Sequence, residues 1–450
     1  MLIAFALVGS AGCAGAKNDD SGAPLECTAA VSANIATVVT VDWSTDEGGT
    51  STVEFGETEA YGMQAPSTSD ADVHLALVGM PEDVDVYWRG RTVSASGETS
   101  ECTGVTHTGE APSDIPRAEA LTNDVGQDPA GFVIGAYFAG AGSSTGRTQL
   151  AAYRRDGALV WYYDGDESST GLDMHYALDG NGILFNSFGG HMGGEEGSIQ
   201  RVSLEGELLE TLDAPYAHHT FCELPDGTIT FQQTDVREFT DPESGQTDDW
   251  VGDALAEIPP GGVATTVFST WDVLEAGPNG RTDDLSIYGG VDWTHGNFVS
   301  YDAATDQYLL SLGHADDLLQ VRRSDYGVEA LYGLDGIAAD PPFDYQHDPS
   351  WLDNGNLLMF MSDDDGSGAI EYELVDGAPV EVWRAGFTRS AVALGEAQRL
   401  SNGNTFINFG AGNDLVEVTP DGTTVWDLAG QHGVIFAQFQ VVTELYTGAR

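Results

Sequence analysis

The sequence predicts an all-β chain, organised as a six-bladed β-propeller that follows a small β-sandwich. Three observations predict this fold class. Apolar runs recur behind Gly, Asn and Asp turns, no window shows sustained helical periodicity, and a different strand pattern precedes the repeat. Repeats of about 40–50 residues built from β-hairpins are typical of propellers, in which each blade is a four-stranded sheet.

The repeated unit is a turn followed by an apolar run, as in LDGNGILFNSF, LPDGTITFQQ, LDNGNLLMFM and LSNGNTFINF. Such runs are short and bounded by turn residues, as hairpin strands should be. The turn markers are Gly131, Gly182, Gly227, Asp306, Gly355 and Gly403, at intervals of 51, 45, 79, 49 and 48 residues. Six markers predict six blades within residues 127–450. The long interval predicts an insertion of about 30 residues, from roughly Val236 to Gly290, on the face where binding sites usually lie.

Residues 25–110 lack this repeat. VVTVDWST, STVEFGE and HLALVGM are alternating strands with polar turns, which predicts a fibronectin III-like β-sandwich, joined to the propeller by a linker over residues 111–126. Cys27 and Cys102 lie near its two ends, and an exported context predicts a disulfide between them. Cys222 stays unpaired beside His219, and a free cysteine in an apolar strand is more often buried and inert than reactive.

The first residues predict export. Residues 1–12, MLIAFALVGSAG, are apolar and end in small residues before Cys13. This pattern predicts a lipoprotein-type signal with Cys13 as the lipid-attachment residue and a tether over residues 13–24, and the alternative is an ordinary secretory signal. We therefore expect a membrane-anchored lipoprotein of the periplasm or cell surface. No segment has the roughly 20 apolar residues that a transmembrane helix needs.

The charge balance excludes one class of partner. The chain has 72 acidic and 16 basic residues, a formal net charge of −56. Because a nucleic acid partner requires a basic surface, we expect none. The acidity is typical of a protein kept soluble in a saline or extracellular setting. The turn DDDGSG, Asp363–Gly368 with Asp365 inside it, either holds a cation such as calcium or is a solvated hairpin turn, since it lacks the ligand spacing of an EF-hand.

Three histidines occupy the same place in the repeated unit: His219, His295 and His347. Each precedes a turn signal by a few residues, so equivalent strands around one axis would bring three imidazoles to one point. Three kinds of site remain open: a metal site of three imidazoles, a nucleophile with its supports, and an anion-binding cluster. Metal-ligand spacings such as HExxH are absent, and Asp348 is a candidate to orient an imidazole.

The segments HHTFCELPDG, VDWTHGNFVSYDAATDQYLLSLGH, QHDPSWLDNGNLLMF and GEAQRLSNGNTFINFG with LVEVTPDGTTVWDL closely resemble bacterial arylsulfotransferases, the arylsulfate sulfotransferases that do not use the nucleotide sulfuryl donor. The likeness spans roughly Gln127 to Tyr446. It implies a six-bladed propeller behind a small β-domain. It also implies an aryl sulfate donor, a phenolic acceptor and no cofactor or metal.

The resemblance also implies roles for the histidines. His347 would attack the sulfur of an aryl sulfate, a phenol would depart, and the sulfohistidine would pass its sulfuryl group to a second phenol. His295 and His219 would hold the sulfuryl oxygens and handle the phenolic proton. Positioned donors stabilise the charge that such a transfer spreads over equatorial oxygens.

One departure concerns the strand that ends in SLGH. The family places an arginine where this chain has Gly313, so the expected guanidinium clamp is missing. His314 is adjacent and is a candidate to bind substrate, although strand alternation predicts that it faces the other side of the sheet. Arg389 and Arg237 are further candidates to supply the positive charge. The alternative function is a surface lipoprotein whose propeller binds a ligand without turnover.

Overall fold

The computed structural model describes residues 25–45, 49–124, 131–139, 149–165, 169–189, 192–242, 244–276, 289–333, 343, 345–363, 366–391 and 393–449. The prediction of an all-β chain is confirmed, because 34 strands are accompanied in these residues by only two short 3-10 helices, Thr270–Asp272 and Gly410–Gly412. Cys13 and the proposed signal and tether lie outside the described residues, as do Asp364 and Asp365 of the acidic turn. No helix among the described residues is long and apolar enough to cross a membrane.

The first seven strands form two antiparallel sheets with the orders β1-β2-β5 and β4-β3-β6-β7. Their bounds are β1 Thr28–Val31, β2 Val39–Ser44, β3 Gly49–Gly56, β4 Met63–Gln64, β5 Asp72–Leu77, β6 Asp85–Ser94 and β7 Thr99–His107. One buried apolar cluster, which includes Val41, Phe55 and Trp88, fills the space between the two sheets. Cys27 and Cys102 form a disulfide with their Cα atoms 6.2 Å apart.

The remaining strands form six sheets of four or five strands, in which every pairing is antiparallel except that of β21 with β19. Those of the first two sheets are β9 Phe132–Ala139, β10 Gln149–Arg154, β11 Leu159–Asp164, β12 Ser169–Thr170, β13 Met174–Tyr176, β14 Ile183–Gly189, β15 Gly197–Val202 and β16 Leu208–Asp213. Those of the third and fourth sheets are β17 Ala217–Glu223, β18 Ile229–Thr240, β19 Thr247–Ile258, β20 Thr265–Ser269, β21 Val291–Asp292, β22 Gly296–Asp302, β23 Gln307–Leu312, β24 Asp317–Arg322 and β25 Val328–Gly333.

The last two sheets contain β26 His347–Trp351, β27 Leu357–Asp363, β28 Gly366–Val375, β29 Ala378–Arg389, β30 Glu396–Arg399, β31 Thr405–Asn408, β32 Asp414–Val418 and β33 Thr424–Gly430. Two strands from distant parts of the chain complete the set. β34, Val434–Val442, pairs with β9 in the first of the six sheets, and β8, Ala118–Asn123, pairs with β33 in the last. The early strand β8 therefore completes the last sheet, and the final strand β34 completes the first.

The six turn markers hold the same place in the six sheets. Each lies one or two residues before the strand that is second from one edge, for example Gly227 before β18 and Gly403 before β31. The sequence repeat therefore corresponds to the repeat of sheets. The long interval corresponds to the 12-residue strands β18 and β19 and the segment that follows them.

The first strands of successive sheets contact one another. β17 contacts β22, β22 contacts β26, β26 contacts β30 and β30 contacts β34. The Gln438 amide N–H donates to the Leu172 carbonyl at 2.8 Å, which joins β34 to the second sheet. The first strands of successive sheets therefore lie side by side, and the site lies at one end of them.

Candidate functional site

The structure brings the three predicted histidines together. His219 lies in β17, His347 begins β26, and His295 immediately precedes β22. The His219 and His295 ring centroids are 5.2 Å apart. The Tyr345 ring links the other two histidines, with centroids 5.7 Å from His295 and 5.2 Å from His347. All three histidines are buried, so one compact cluster forms where these strands start.

Irregular backbone aims these side chains. His219, His295 and Asp348 adopt positive φ values of 49°, 48° and 50°. The pairing registers of β17, β22 and β26 all shift beside these residues. Bulges bend a strand and redirect a side chain, and left-handed non-glycine residues cluster at functional sites. The same device therefore recurs in three successive sheets.

Asp292 orients His295. Its Oδ2 lies 2.6 Å from Nδ1 of the ring, and its Oδ1 accepts the His295 backbone N–H at 2.9 Å. A carboxylate accepts, so Nδ1 carries hydrogen and the other ring nitrogen, Nε2, faces the Tyr345 hydroxyl at 3.2 Å. Neither Asp292 nor Tyr345 was predicted from the sequence as a site residue. The segment DWTH held the only available signal for Asp292, since a carboxylate three residues before a histidine can reach its ring.

His347 is held in one tautomer as well. Its Nδ1 lies 3.2 Å from the carbonyl oxygen of Tyr345. A carbonyl only accepts, so Nδ1 carries hydrogen and Nε2 keeps the lone pair. Burial, and then the neighbouring His295, lowers the pKa of His347 to about 3. The imidazole is therefore neutral and nucleophilic at neutral pH.

His219 shares this environment. Burial, followed by the nearby imidazoles of His295, His218, His347 and His314, lowers its pKa well below the ordinary value. A neutral His219 carries no positive charge with which to attract an anion. The interpretation of the cluster as an anion site made of protonated imidazoles therefore does not fit His219 or His347.

His314 joins the cluster, contrary to the expectation from strand alternation. Its ring stacks on His295 with centroids 4.4 Å apart, and its Nδ1 lies 2.9 Å from the Asp292 carbonyl oxygen. The expectation was wrong because β23 ends at Leu312 and residues 313–316 form a turn. Alternation governs extended strands only.

Gly313 lies against the same histidine. Its N–H donates to the His295 carbonyl at 2.8 Å. A Cβ at this position would lie 2.7 Å from Nδ2 of Asn297, which itself donates to the Gln346 carbonyl at 2.8 Å. An arginine here would require Asn297 to move.

The ion pairs of both candidate arginines are with carboxylates outside the histidine cluster. Arg237 pairs with Asp235 at 2.8 Å and with Asp272 at 3.3 Å. Arg389 pairs with Asp414 at 2.6 Å and with Asp427 at 2.5 Å. The expectation that these guanidinium groups replace the missing clamp therefore finds no contact to support it among the described residues.

Asp292, His295 and His314 also form a group whose ligand atoms lie within 4.8 Å of one another. Two ligands on one tetrahedral zinc ion at about 2.0–2.1 Å stand roughly 3.3 Å apart. The His295 Nδ1 and Asp292 Oδ2 atoms are only 2.6 Å apart, which suits a hydrogen bond and not joint coordination. The arrangement does not fit a metal ion without rearrangement.

A cavity of about 390 Å³ lies among the first strands and is lined by Asp173, Asp348 and Glu396 together with Phe298 and Trp351. Oδ2 of Asp348 accepts the Ala397 N–H at 3.1 Å. Burial, and then Asp348, raises the pKa of Glu396 well above its ordinary value.

Cys222 lies in β17 beyond the histidines. Burial raises the pKa of its thiol. A thiol that resists ionisation is a poor nucleophile, which fits the inert role expected for this residue.

A family model described as Arylsulfotransferase (ASST) matches residues 122–340 and confirms the resemblance seen in the motifs. The match includes His219, His295 and His314 and ends before His347. No curated protein matches the chain.

Solved structures are similar at low identity. A protein of unknown function from Bacteroides caccae is 14% identical, with 70% of this chain and 100% of that chain covered and a TM-score of 0.43. A putative 6-phosphogluconolactonase from Bacteroides uniformis is 12% identical, with 88% and 100% covered and a TM-score of 0.40. A streptogramin B lyase is 11% identical, with 74% and 99% covered and a TM-score of 0.39.

Proposed function

Residues 122–340 match the arylsulfotransferase family model, and on that premise we propose that the protein is an arylsulfate sulfotransferase. It would move a sulfuryl group from an aryl sulfate to a phenolic acceptor through a sulfohistidine at His347. One observation carries this proposal: a buried His347, neutral and with its Nε2 lone pair available by tautomer, stands beside His295 and His219.

The proposed architecture is a six-bladed propeller over residues 127–450, preceded by a fibronectin III-like sandwich over residues 25–110. The pairing of β34 with β9 and the contacts between successive first strands support a closed ring. Export and lipid attachment at Cys13 complete the proposal and rest on the sequence pattern of residues 1–13.

In the first half-reaction Nε2 of His347 attacks sulfur. The S–N bond forms as the S–O bond to the aryl group breaks, and the phenolate leaves. In the second, a phenol attacks the sulfohistidine, the S–N bond breaks and His347 is regenerated. An imidazole is a competent covalent nucleophile because its lone pair is available near neutral pH.

The sulfuryl oxygens need positive partners in the transition state. A protonated His295 would hold hydrogen on both ring nitrogens, with its charge stabilised by Asp292 at 2.6 Å. Its Nε2–H would then donate to a sulfuryl oxygen beside Tyr345. Stacking of His314 on the same ring keeps this donor in place.

A second function has one observation in its favour. Gly313 replaces the arginine of the family, and the packing of Asn297 leaves no room for a longer side chain. A propeller without that clamp is a candidate to bind aryl sulfates on the cell surface without turnover.

Release of p-nitrophenol from p-nitrophenyl sulfate by the purified protein, with and without phenol, separates these two functions. Acceptor-dependent release supports the transferase. Binding of the sulfate by calorimetry with no release from any aryl sulfate would support the binding protein. Loss of both would contradict each proposal.

Replacing Asp292 tests the support of His295. Asp292→Asn keeps the shape but removes the charge that orients the ring and stabilises its protonated form. We expect kcat to fall by roughly 10²–10⁴-fold, the range seen when a histidine loses its orienting carboxylate, measured with p-nitrophenyl sulfate and phenol. The exposed Asp306, which bonds to the Tyr301 hydroxyl at 2.7 Å, supplies the control Asp306→Asn. Equal rates in the two variants would remove Asp292 from the mechanism.

A further inference from the structure

A second histidine stands behind His219. His218 is 2% exposed and its Nδ1 lies 3.0 Å from Nδ1 of His219. Its Nε2 lies 3.0 Å from Oδ1 of Asp253. Asp253, His218 and His219 thus follow one another from the interior toward the site. The proposed reaction assigns no role to Asp253 or His218.

Asp253 is built to remain ionised. It lies in β19 and is 3% exposed. Its Oδ2 accepts the Gly296 N–H at 2.6 Å and the Thr294 hydroxyl. Burial raises its pKa, but the hydrogen bond and charge of His218, with those from Thr294 and Gly296, lower it further, and the net pKa lies below the ordinary value. A buried anion therefore faces the far nitrogen of His218.

The contacts determine which nitrogens carry hydrogen. Because the Asp253 carboxylate only accepts, His218 Nε2 keeps its hydrogen. The contact between His218 Nδ1 and His219 Nδ1 needs one hydrogen, which either ring can carry. If His218 is neutral, His219 Nδ1–H donates and His219 Nε2 holds a lone pair. If His218 is an imidazolium, it donates from Nδ1 and the hydrogen of His219 sits on Nε2.

We propose that Asp253 and His218 form a proton relay with His219, which protonates the leaving phenolate in the first half-reaction and takes up the proton of the acceptor phenol in the second. This inference rests on the proposed sulfuryl transfer. Asp253 and His218 are positioning residues, since they act through His219.

The relay balances over the two steps. In the first, the S–O bond breaks, Nε2–H of His219 passes to the leaving phenolate, and Nδ1–H of the His218 imidazolium passes to Nδ1 of His219. In the second, the acceptor phenol gives its proton to His219 Nε2 as its oxygen bonds to sulfur. His219 Nδ1–H then returns to His218. No proton is gained or lost over the cycle.

The two histidines have different neighbours. Burial and the imidazoles of His295, His218, His347 and His314 lower the pKa of His219. His218 faces Asp253. A charge placed on His218 is therefore paired, whereas His219 stays neutral in both states and only transmits the proton.

The test varies the leaving group. p-Nitrophenolate departs without protonation, whereas the phenolate of phenyl sulfate needs an acid. His218→Gln keeps a donor for Asp253 but cannot relay a proton. We expect kcat/KM for phenyl sulfate to fall by about 10²-fold, the usual contribution of general acid–base catalysis, while kcat/KM for p-nitrophenyl sulfate changes by only a few-fold.

The ratio of the two substrates is independent of how much variant folds, because both are measured on the same sample. His74→Gln is the control: this exposed histidine also lies between two carboxylates, Asp42 at 2.6 Å and Glu205 at 2.8 Å. Equal losses on both substrates in His218→Gln would overturn the relay. A wild-type protein inactive on every aryl sulfate would instead overturn the sulfuryl transfer itself.

Discussion

His347→Asn is expected to abolish acceptor-dependent release of p-nitrophenol while leaving the protein folded. The asparagine amide can still donate to the Tyr345 carbonyl that His347 Nδ1 contacts at 3.2 Å, but it offers no nucleophilic lone pair. We expect kcat to drop by roughly 10⁴-fold or more, as when a covalent nucleophile is removed. The measurement is the initial rate with saturating donor and phenol.

The control for this variant is His432→Asn, an exposed histidine between β33 and β34. It should retain full activity. A His347→Asn protein that keeps substantial turnover would show that another group forms the covalent bond. The same sample, mixed with donor alone, should carry no sulfuryl group on intact mass measurement, whereas the wild type should gain one.

Arg155→Ala is expected to destabilise the fold by about 3–5 kcal/mol, the usual effect of leaving one partner of a buried ion pair alone. The Arg155 and Glu417 side chains are 8% and 2% exposed and form an ion pair. The guanidinium also lies 4.0 Å from the ring centroid of Trp426. Arg155 follows β10 and Glu417 lies in β32, so the pair ties the first of the six sheets to the last. The free energy of unfolding from urea titration measures the loss.

Two further variants sharpen this test. Arg322→Ala removes exposed pairs with Asp325 at 3.1 Å and with Glu329 and should leave the stability almost unchanged, because solvent-exposed ion pairs contribute little. Arg155→Met combined with Glu417→Leu removes both charges and should recover much of the stability lost in Arg155→Ala. If Arg155→Ala matches Arg322→Ala, the ion pair does not hold the two sheets together.

The strands were predictable because their signals are local. A turn residue with a following apolar run determines where a hairpin strand begins, and the six markers, such as Gly227 and Gly355, lie one or two residues before equivalent strands. The convergence of the three histidines could also be inferred, since equal places in a repeat become equal places around a centre.

The partners of those histidines could not be inferred. Asp253 lies 35 residues after His218 in the sequence, on β19, which β18 separates from β17 in the sheet. No local pattern reveals the register that brings the two side chains together. Alternation misplaced His314 because the strand ends at Leu312, two residues before this histidine. Arg237 and Arg389 were chosen by their position in the sequence alone. The chain has 72 acidic residues, and each arginine forms ion pairs with two of them.

The sequence by itself therefore determined the all-β class, the repeat, the histidines and the family, because these depend on short-range patterns and motifs. Only the tertiary structure decided the tautomers, the burial that lowers the pKa of His347, and the carboxylates that stand behind His295 and His218. Those properties depend on distances between atoms of different strands and loops, which arise only when the strands pack.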